Sequence, residues 1–247
     1  ELPTVSSIST LHDSVPVNAH SEKSGNNANG LNESNVDSID NSANTVAASA
    51  SAVKVTTASS TVMAQADIVF IVDTTGSMSE EITNVKNNIS YFVDALNEKG
   101  ISVALALIDY EDITVDGYDS TRVHKNGSSN WFYNVNDYKA AIGNLSLGYG
   151  GDDPECVVDA LETARLLDMR ASAGKIFVLV TDADFKVDNR YGIPSMATEI
   201  ELLKNAGVNC SVVSPYSEQS TYYDLYSETD GVWADIYGNF YELKDNV

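Results

Sequence analysis

Residues 66–79, ADIVFIVDTTGSMS, constrain this chain more than any other stretch. The apolar run from Ile68 to Val72 halts at Asp73, and threonines, a glycine and Ser77 follow before a long helical pattern begins. A short continuous apolar run bounded by turn residues predicts a buried parallel strand. Asp73, Thr75 and Ser77 alternate across the loop, and Gly76 permits the backbone to bend sharply. One carboxylate and two hydroxyls can therefore converge at the strand's carboxyl end. Such hard oxygen donors suit Mg²⁺ or another hard divalent cation.

The core belongs to the second part of the chain. All 13 Tyr, 6 Phe and 2 Trp fall at or after Phe70, and large side chains dominate core burial. Residues 1–65, rich in Ser, Asn, Ala, Thr and Val, are predicted to form a disordered linker, because they bury too little to offset their ordering entropy. Short strands at 53–57 and 60–64 are the only order hinted there. His12 and His20 read as solvated. Residues 66–247 are long enough for one well-buried α/β domain. The net charge of −22 argues against nucleic acid and anionic membranes, which require a basic footprint. It fits a protein with affinity for cations. No apolar run is long enough to insert in a membrane, and the start at Glu1 suggests a processed or excised product. Cys156 and Cys210 are expected to be unpaired, buried small hydrophobes, so cysteine usage leaves the compartment open.

The remaining elements follow from periodicity and turn chemistry. A helix over 79–99 places Ile82, Val85, Ile89, Phe92, Val93 and Leu96 on one face, with Ser77 and Glu80 at capping-box spacing. A strand over 101–108 ends in Asp109-Tyr110-Glu111-Asp112, read as a solvated acidic rim. Residues 121–134 read as a hairpin around Asn126-Gly127, and 136–145 as a helix. The glycine-rich loop 148–151 runs into Asp152-Asp153-Pro154-Glu155, where Asp153 is placed to cap the next helix. A strand over 175–180 ends in Thr181-Asp182-Ala183-Asp184. Then come a helix over 195–206, a strand over 208–213, a helical stretch over 221–229, a strand over 232–236 and the start of a helix at 240–243. This alternation predicts a doubly wound, mainly parallel six-stranded sheet flanked by helices, an α/β Rossmann-like layout. Ligands on such sheets bind beyond the carboxyl ends of the strands, where the Asp73 loop, the Gly150–Asp153 loop and Asp182 converge.

Asp73-Thr74-Thr75-Gly76-Ser77 resembles the Asp-x-Ser/Thr-x-Ser signature of von Willebrand factor A domains. The glycine loop and Asp182 extend that resemblance over residues 66–243. It implies a metal-ion-dependent adhesion site: Thr75 and Ser77 as direct ligands, Asp73 and Asp182 holding metal-bound waters. One further ligand is implied from the glycine loop, with Asp152 ahead of Asp153. Gly150, Gly151, Asp112 and Asp184 form the ligand-binding rim. The expected cofactor is a divalent cation, Mg²⁺ first, with Mn²⁺ or Ca²⁺ as alternatives. The expected partner is a protein presenting an acidic side chain, and the expected location is extracellular, on a secreted or cell-surface protein. A composition rich in Asn, Ser, Thr and Tyr suits a bacterial one. Where many members of the family carry threonine, this chain offers aspartate. Three carboxylates against a doubly charged ion weaken the attraction for a fourth.

Two other readings use the same residues. The domain is a structural module whose ion only stabilises it, or it is a Mg²⁺-dependent phosphatase with Asp182 as nucleophile and Asp184 as acid. The second departs from its pattern at Lys186, where a hydroxyl is expected. A resemblance of Asp73-Thr74-Thr75-Gly76 to the Asp-Thr-Gly of aspartic proteases is spoiled by the extra threonine and by the lack of a second such loop. Binding, not turnover, is the expectation.

Overall fold

The computed structural model describes residues 64–240 and Leu243. The strands expected at 53–57 and 60–64 and the helix expected at 240–243 fall wholly or largely outside those residues. In chain order the strands are β1 (Gln65–Asp73), β2 (Ser102–Tyr110), β3 (Arg122–Val123), β4 (Gly174–Val180), β5 (Val208–Ser214) and β6 (Trp233–Asp235). The helices are α1 (Ile82–Glu98), α2 (Ile113–Asp116), α3 (Val135–Gly143), α4 (Val157–Arg165), α5 (Met196–Ala206) and α6 (Tyr223–Glu228). They build one six-stranded sheet in the order β3-β2-β1-β4-β5-β6. All neighbours are parallel except β3, which pairs antiparallel with β2.

β1 lies at the centre because both of its faces are apolar. Ile68, Phe70 and Val72 pack with α1 residues Val85, Ile89 and Phe92 on one side. Val69 and Ile71 pack with Val158, Leu161 and Ile200 from α4 and α5 on the other. The chain leaves β1 for β2 on one side and later returns to β4 on the other. The direction switch therefore falls at the carboxyl end of β1, where Asp73 pairs with Tyr110 and Val72 with Val180. That crevice is where doubly wound sheets hold ligands. At the opposite end the Arg170 guanidinium bonds Asp67 Oδ1 at 2.6 Å and the Ala66 and Ser102 carbonyls, tying β1 to β2.

Several boundaries differ from expectation, each for a local reason. The helix expected from Ser79 begins at Ile82 after a 3-10 turn over Gly76–Ser79, and its cap residue Glu81 makes no capping bond. The Ser77–Glu80 capping box is not formed, because the Ser77 hydroxyl is directed to Asp182. α4 begins at Val157 with Cys156 at its cap position, so Asp153 caps nothing. The hairpin turn forms, with Asn126 bridged to Ser129. Its arms, however, pair with β2 rather than with each other: Arg122 and Val123 lie against Asp109 and Ile108, and Phe132 lies against Leu105. The acidic rim at 109–112 is buried rather than solvated, because Arg122 and Lys186 supply counter-charge to it and His124 Nε2 lies 2.6 Å from Asp109 Oδ1. The last helix is shorter than 221–229, while α5 has its expected Ser195 cap and left-handed Gly207 stop. Both cysteines are free and buried. Among the described residues no helix is long and apolar enough to cross a membrane.

One buried acid stands apart from the site. Glu199 on α5 is fully buried with both carboxylate oxygens unpartnered. Burial first, and then the charge of Glu162 on α4, push its pKa up to about 8, while Arg165 pulls it back. A carboxyl whose folded pKa lies above its unfolded value favours the folded state at acid pH, and that advantage is lost as pH rises through the folded value. Glu199→Gln is therefore expected to raise the melting temperature by roughly 5–10 °C at pH 8 and by little at pH 5, measured by differential scanning calorimetry.

Candidate metal centre

Three loops meet beyond β1 and β4. The Asp73 carboxylate, fully buried, accepts from the Thr75 backbone at 2.8 Å and the Thr75 hydroxyl at 2.7 Å through Oδ1, and from Thr181 Oγ1 at 2.8 Å through Oδ2. Ser77 Oγ lies 2.9 Å from Thr75 Oγ1 and donates to Asp182 Oδ1 at 3.0 Å. Asp73, Thr75, Ser77 and Asp182 thus form one chain of contacts running from the core out to the exposed Ser77. The loop after β1 is held from behind. Gly148 N donates to the Thr74 carbonyl at 2.7 Å, and Gly76 N to the Tyr149 carbonyl at 3.4 Å.

The glycine loop is close-fitting for the same reason. At Gly150, φ is +76°, and a Cβ there would stand 2.6 Å from Thr75 Cγ2 and 3.0 Å from Glu155 Oε1. Gly150 N is bonded to Asp116 Oδ2 at 2.9 Å. A Cβ at Gly148 would stand 2.1 Å from the Glu111 carboxyl. Ser77, Tyr149, Gly151, Asp152, Asp153 and Glu155 line a cleft of about 210 Å³.

The other candidate residues separate by environment. The Asp152 side chain is 64% exposed and accepts from Lys186 Nζ at 2.9 Å. The same ammonium is bonded to Asp112, which is fully buried and also accepts from Thr114 and Cys156. Burial raises Asp112, but bonds from Lys186, Thr114 and Cys156 outweigh it and hold the group at about 2. Asp112 is thereby committed to Lys186. Asp184 is exposed and accepts from the backbone of Phe185. Asp153 and Gly151 are exposed on the cleft, and Gly150 is buried beneath it.

Electrostatics distinguish this cluster from the rest of the protein. Asp67, Asp109, Asp112 and Asp159 are buried, and each is paired with an arginine or lysine. Among the described residues, Asp73 is the buried aspartate with no basic partner. Burial pushes its pKa up to about 7 against the bonds from Thr75 and Thr181. Burial also raises Asp182, outweighing the bond from Ser77, and Glu81 adds to the rise. Glu155, at the far side of the cleft, is raised by burial and then by Asp73 and Asp112 to about 9, and its Oε2 has no hydrogen-bond partner. Glu81 Oε2 and Tyr110 Oη are also buried without partners. Buried groups of this kind call for a counter-ion or ordered water. Among the described residues no three His, Cys, Asp or Glu side chains converge on one point. What converges here is a mixed set of hydroxyls and carboxylates, the donor set of a hard divalent cation. The residues present fit such an ion.

Sequence reasoning missed Thr181, Glu155 and Lys186. Thr181 was visible as the residue between a buried strand and Asp182. Glu155 was masked by its spacing to the expected helix start, and Lys186 carried no local signal.

The sequence profile of the von Willebrand factor A domain matches residues 67–199, and the chain belongs to that family. No curated protein matches the chain. Among solved structures it is similar to proximal thread matrix protein 1 from the mussel byssus, in a form with a zinc-occupied MIDAS motif. The TM-score is 0.57 at 20% identity, over 75% of this chain and 45% of that one. A second crystal form of the mussel protein gives 0.54 at 20%, over 74% and 43%. A further structure of it gives 0.57 at 19%, over 74% and 45%. The chain thus spans less than half of the mussel protein, and the likeness establishes the fold alone.

The packing of the glycine loop gives a direct test. Gly150→Ala combines a left-handed backbone with a clash on Thr75, and is expected to cost about 2–4 kcal/mol. Gly127→Ala, also at positive φ but with nothing within 4 Å, is expected to cost only about 1 kcal/mol. Guanidinium unfolding of both variants measures the difference.

Proposed function

We propose that residues 66–247 form a metal-dependent protein-binding module. The observation that carries this reading is the pair of hydroxyls at the loop after β1. Each hydroxyl has one proton. With Asp73 and Asp182 ionised, the Thr75 proton goes to Asp73 and the Ser77 proton to Asp182. The 2.9 Å contact between the two oxygens then joins lone pairs, not a donor and an acceptor. Neighbouring ligands on an octahedron with bonds of about 2.0–2.1 Å stand about 2.9 Å apart. Ca²⁺, with bonds of about 2.3–2.6 Å in a pentagonal bipyramid, has equatorial neighbours roughly 2.7–3.1 Å apart and accepts the same spacing. The reading is a divalent cation, Mg²⁺ first, with Mn²⁺, Ca²⁺ or Zn²⁺ able to take the same oxygens.

In this reading Thr75 and Ser77 hold the ion through their hydroxyls. Asp73 and Asp182 orient those hydroxyls and supply negative charge from behind. The remaining protein oxygen comes from the far side of the cleft, where Asp152, Asp153 and Glu155 stand. A bound cation supplies an open coordination position for an acidic side chain of a partner protein. The exposed Ser77 and Tyr149 leave that side of the site accessible. The zinc-occupied MIDAS motif of the mussel protein, and that protein's description as a thread matrix protein of the byssus, support the same reading here, including a location outside the cell. The phosphatase reading gains little, since Asp184 is bonded to its neighbour's backbone.

Four measurements distinguish the readings. Calorimetry with Mg²⁺ and with Zn²⁺ is expected to show one bound ion, and Asp182→Ala to weaken it at least about tenfold. A pull-down from surface-protein extracts is expected to lose its partner on chelation. A purely structural ion predicts a lower melting temperature on chelation with the partner retained. Steady turnover of p-nitrophenyl phosphate with Mg²⁺, abolished by Asp182→Asn, would establish an enzyme instead.

A further inference from the structure

We infer that α6, with the turn before it and the start of β6, forms a docking surface for an arginine-bearing segment of a partner protein. The surface uses none of the residues of the metal cleft and does not rest on the metal-binding reading. Its first feature is a concentration of rings. Tyr216 is 76% exposed and Tyr223 57%, with Tyr226 and Trp233 half-buried beside them. The Tyr216 and Trp233 rings meet edge-on with centroids 6.1 Å apart, and the Tyr223 and Tyr226 rings do the same at 5.5 Å. Two contacts join these pairs into one patch. Gln219, whose backbone N donates to the Tyr216 carbonyl at 3.3 Å, bonds the Tyr226 side chain. Gly231 N, on the approach to Trp233, donates to the Tyr226 carbonyl at 2.8 Å. Clustered tyrosine and tryptophan rings left open to water mark an interaction surface.

The charge around the rings decides the chemistry of the partner. Residues 215–235 hold five acids, Glu218, Asp224, Glu228, Asp230 and Asp235, and no lysine, arginine or histidine. Lys204 reaches across from α5 to Glu228 at 2.9 Å, but among the described residues Glu218, Asp224 and Asp230 have no basic partner. A guanidinium answers both features, because its plane stacks on a tyrosine ring while its fork pairs with a carboxylate. The domain already uses that combination within its own chain. The Arg190 guanidinium lies 5.4 Å from the centroid of Tyr118 and 5.8 Å from that of Tyr191 while bonding the buried Asp159. A lysine ammonium pairs with the acids but lacks the flat face that stacks, so the surface distinguishes the two cations.

The test is isothermal titration calorimetry of the full chain with a peptide of alternating arginine and glycine. Peptides of the same length carrying lysine or glutamate in place of arginine are the comparison. The expected result is saturable binding of the arginine peptide, binding of the lysine peptide weaker by about fivefold or more, and none of the glutamate peptide. Tyr216→Ala, Tyr223→Ala and the double variant Glu218→Gln with Asp224→Asn are each expected to weaken the arginine peptide by about fivefold or more. Tyr216→Phe and Tyr223→Phe, which keep the ring, are expected to bind as wild type does. Melting curves confirm that each variant folds. Chelator and Asp182→Ala are expected to leave the peptide's affinity unchanged. Absence of saturable binding overturns the proposal. So does equal affinity for the arginine and lysine peptides with both tyrosine-to-alanine variants unaffected, which is attraction to the net charge alone. Binding lost on chelation or in Asp182→Ala, with the tyrosine variants unaffected, also overturns it and places the peptide at the metal cleft.

Discussion

The structure around the cleft depends on one buried charge without a buried counter-charge. Asp73 stands at the switch point of the sheet, where a carboxylate must either be neutralised or be held by several donors. Thr75 and Thr181 supply the donors and, in doing so, tie the loop after β1 to the loop after β4. Ser77 and Asp182 extend the tie to the surface. The result is a set of hydroxyl and carboxylate oxygens gathered at one rim of the sheet, with Thr75 Oγ1 and Ser77 Oγ 2.9 Å apart.

The rest of the domain shows that this is selective. The chain is strongly acidic, yet among the described residues the other buried aspartates are each given a basic partner. Arg170 serves Asp67 at the base of the sheet, Arg122 and His124 serve Asp109, Lys186 serves Asp112, and Arg190 serves Asp159. With 14 basic residues against 36 acidic ones, counter-charges are scarce. They are spent on positions that hold strands and loops together, and Asp73 and Asp182 receive none directly. Lys186 comes nearest, and its ammonium is turned to Asp112 and Asp152 instead.

Most of the fold was legible because strong local signals agreed with the tertiary outcome. The apolar runs ending at Asp73 and Asp182, the amphipathic stripe of α1, and Ser195 and Gly207 at the ends of α5 are short-range features that packing did not override. The failures share a different cause. Ser77 has a perfect local cap pattern, but a carboxylate over a hundred residues away takes its proton. Asp153 and Pro154 have ideal helix-start chemistry, yet the helix waits until Val157 because Glu155 bridges to Phe185 on the neighbouring loop. The acidic stretch 109–112 looked solvated because its partners Arg122, His124 and Lys186 come from segments that only the fold brings near. At the candidate site the same limit applied. Asp73, Thr75 and Ser77 were readable from spacing, whereas Glu155 and Lys186 are defined by contacts that no spacing encodes.

The most direct test of the central claim is a crystal grown with Mn²⁺, followed by an anomalous difference map at the manganese edge. The account expects a single strong peak in contact with Thr75 Oγ1 and Ser77 Oγ, with the carboxylates of Asp73 and Asp182 behind them. A map that is empty there at millimolar Mn²⁺, with those four side chains arranged as described, would contradict it.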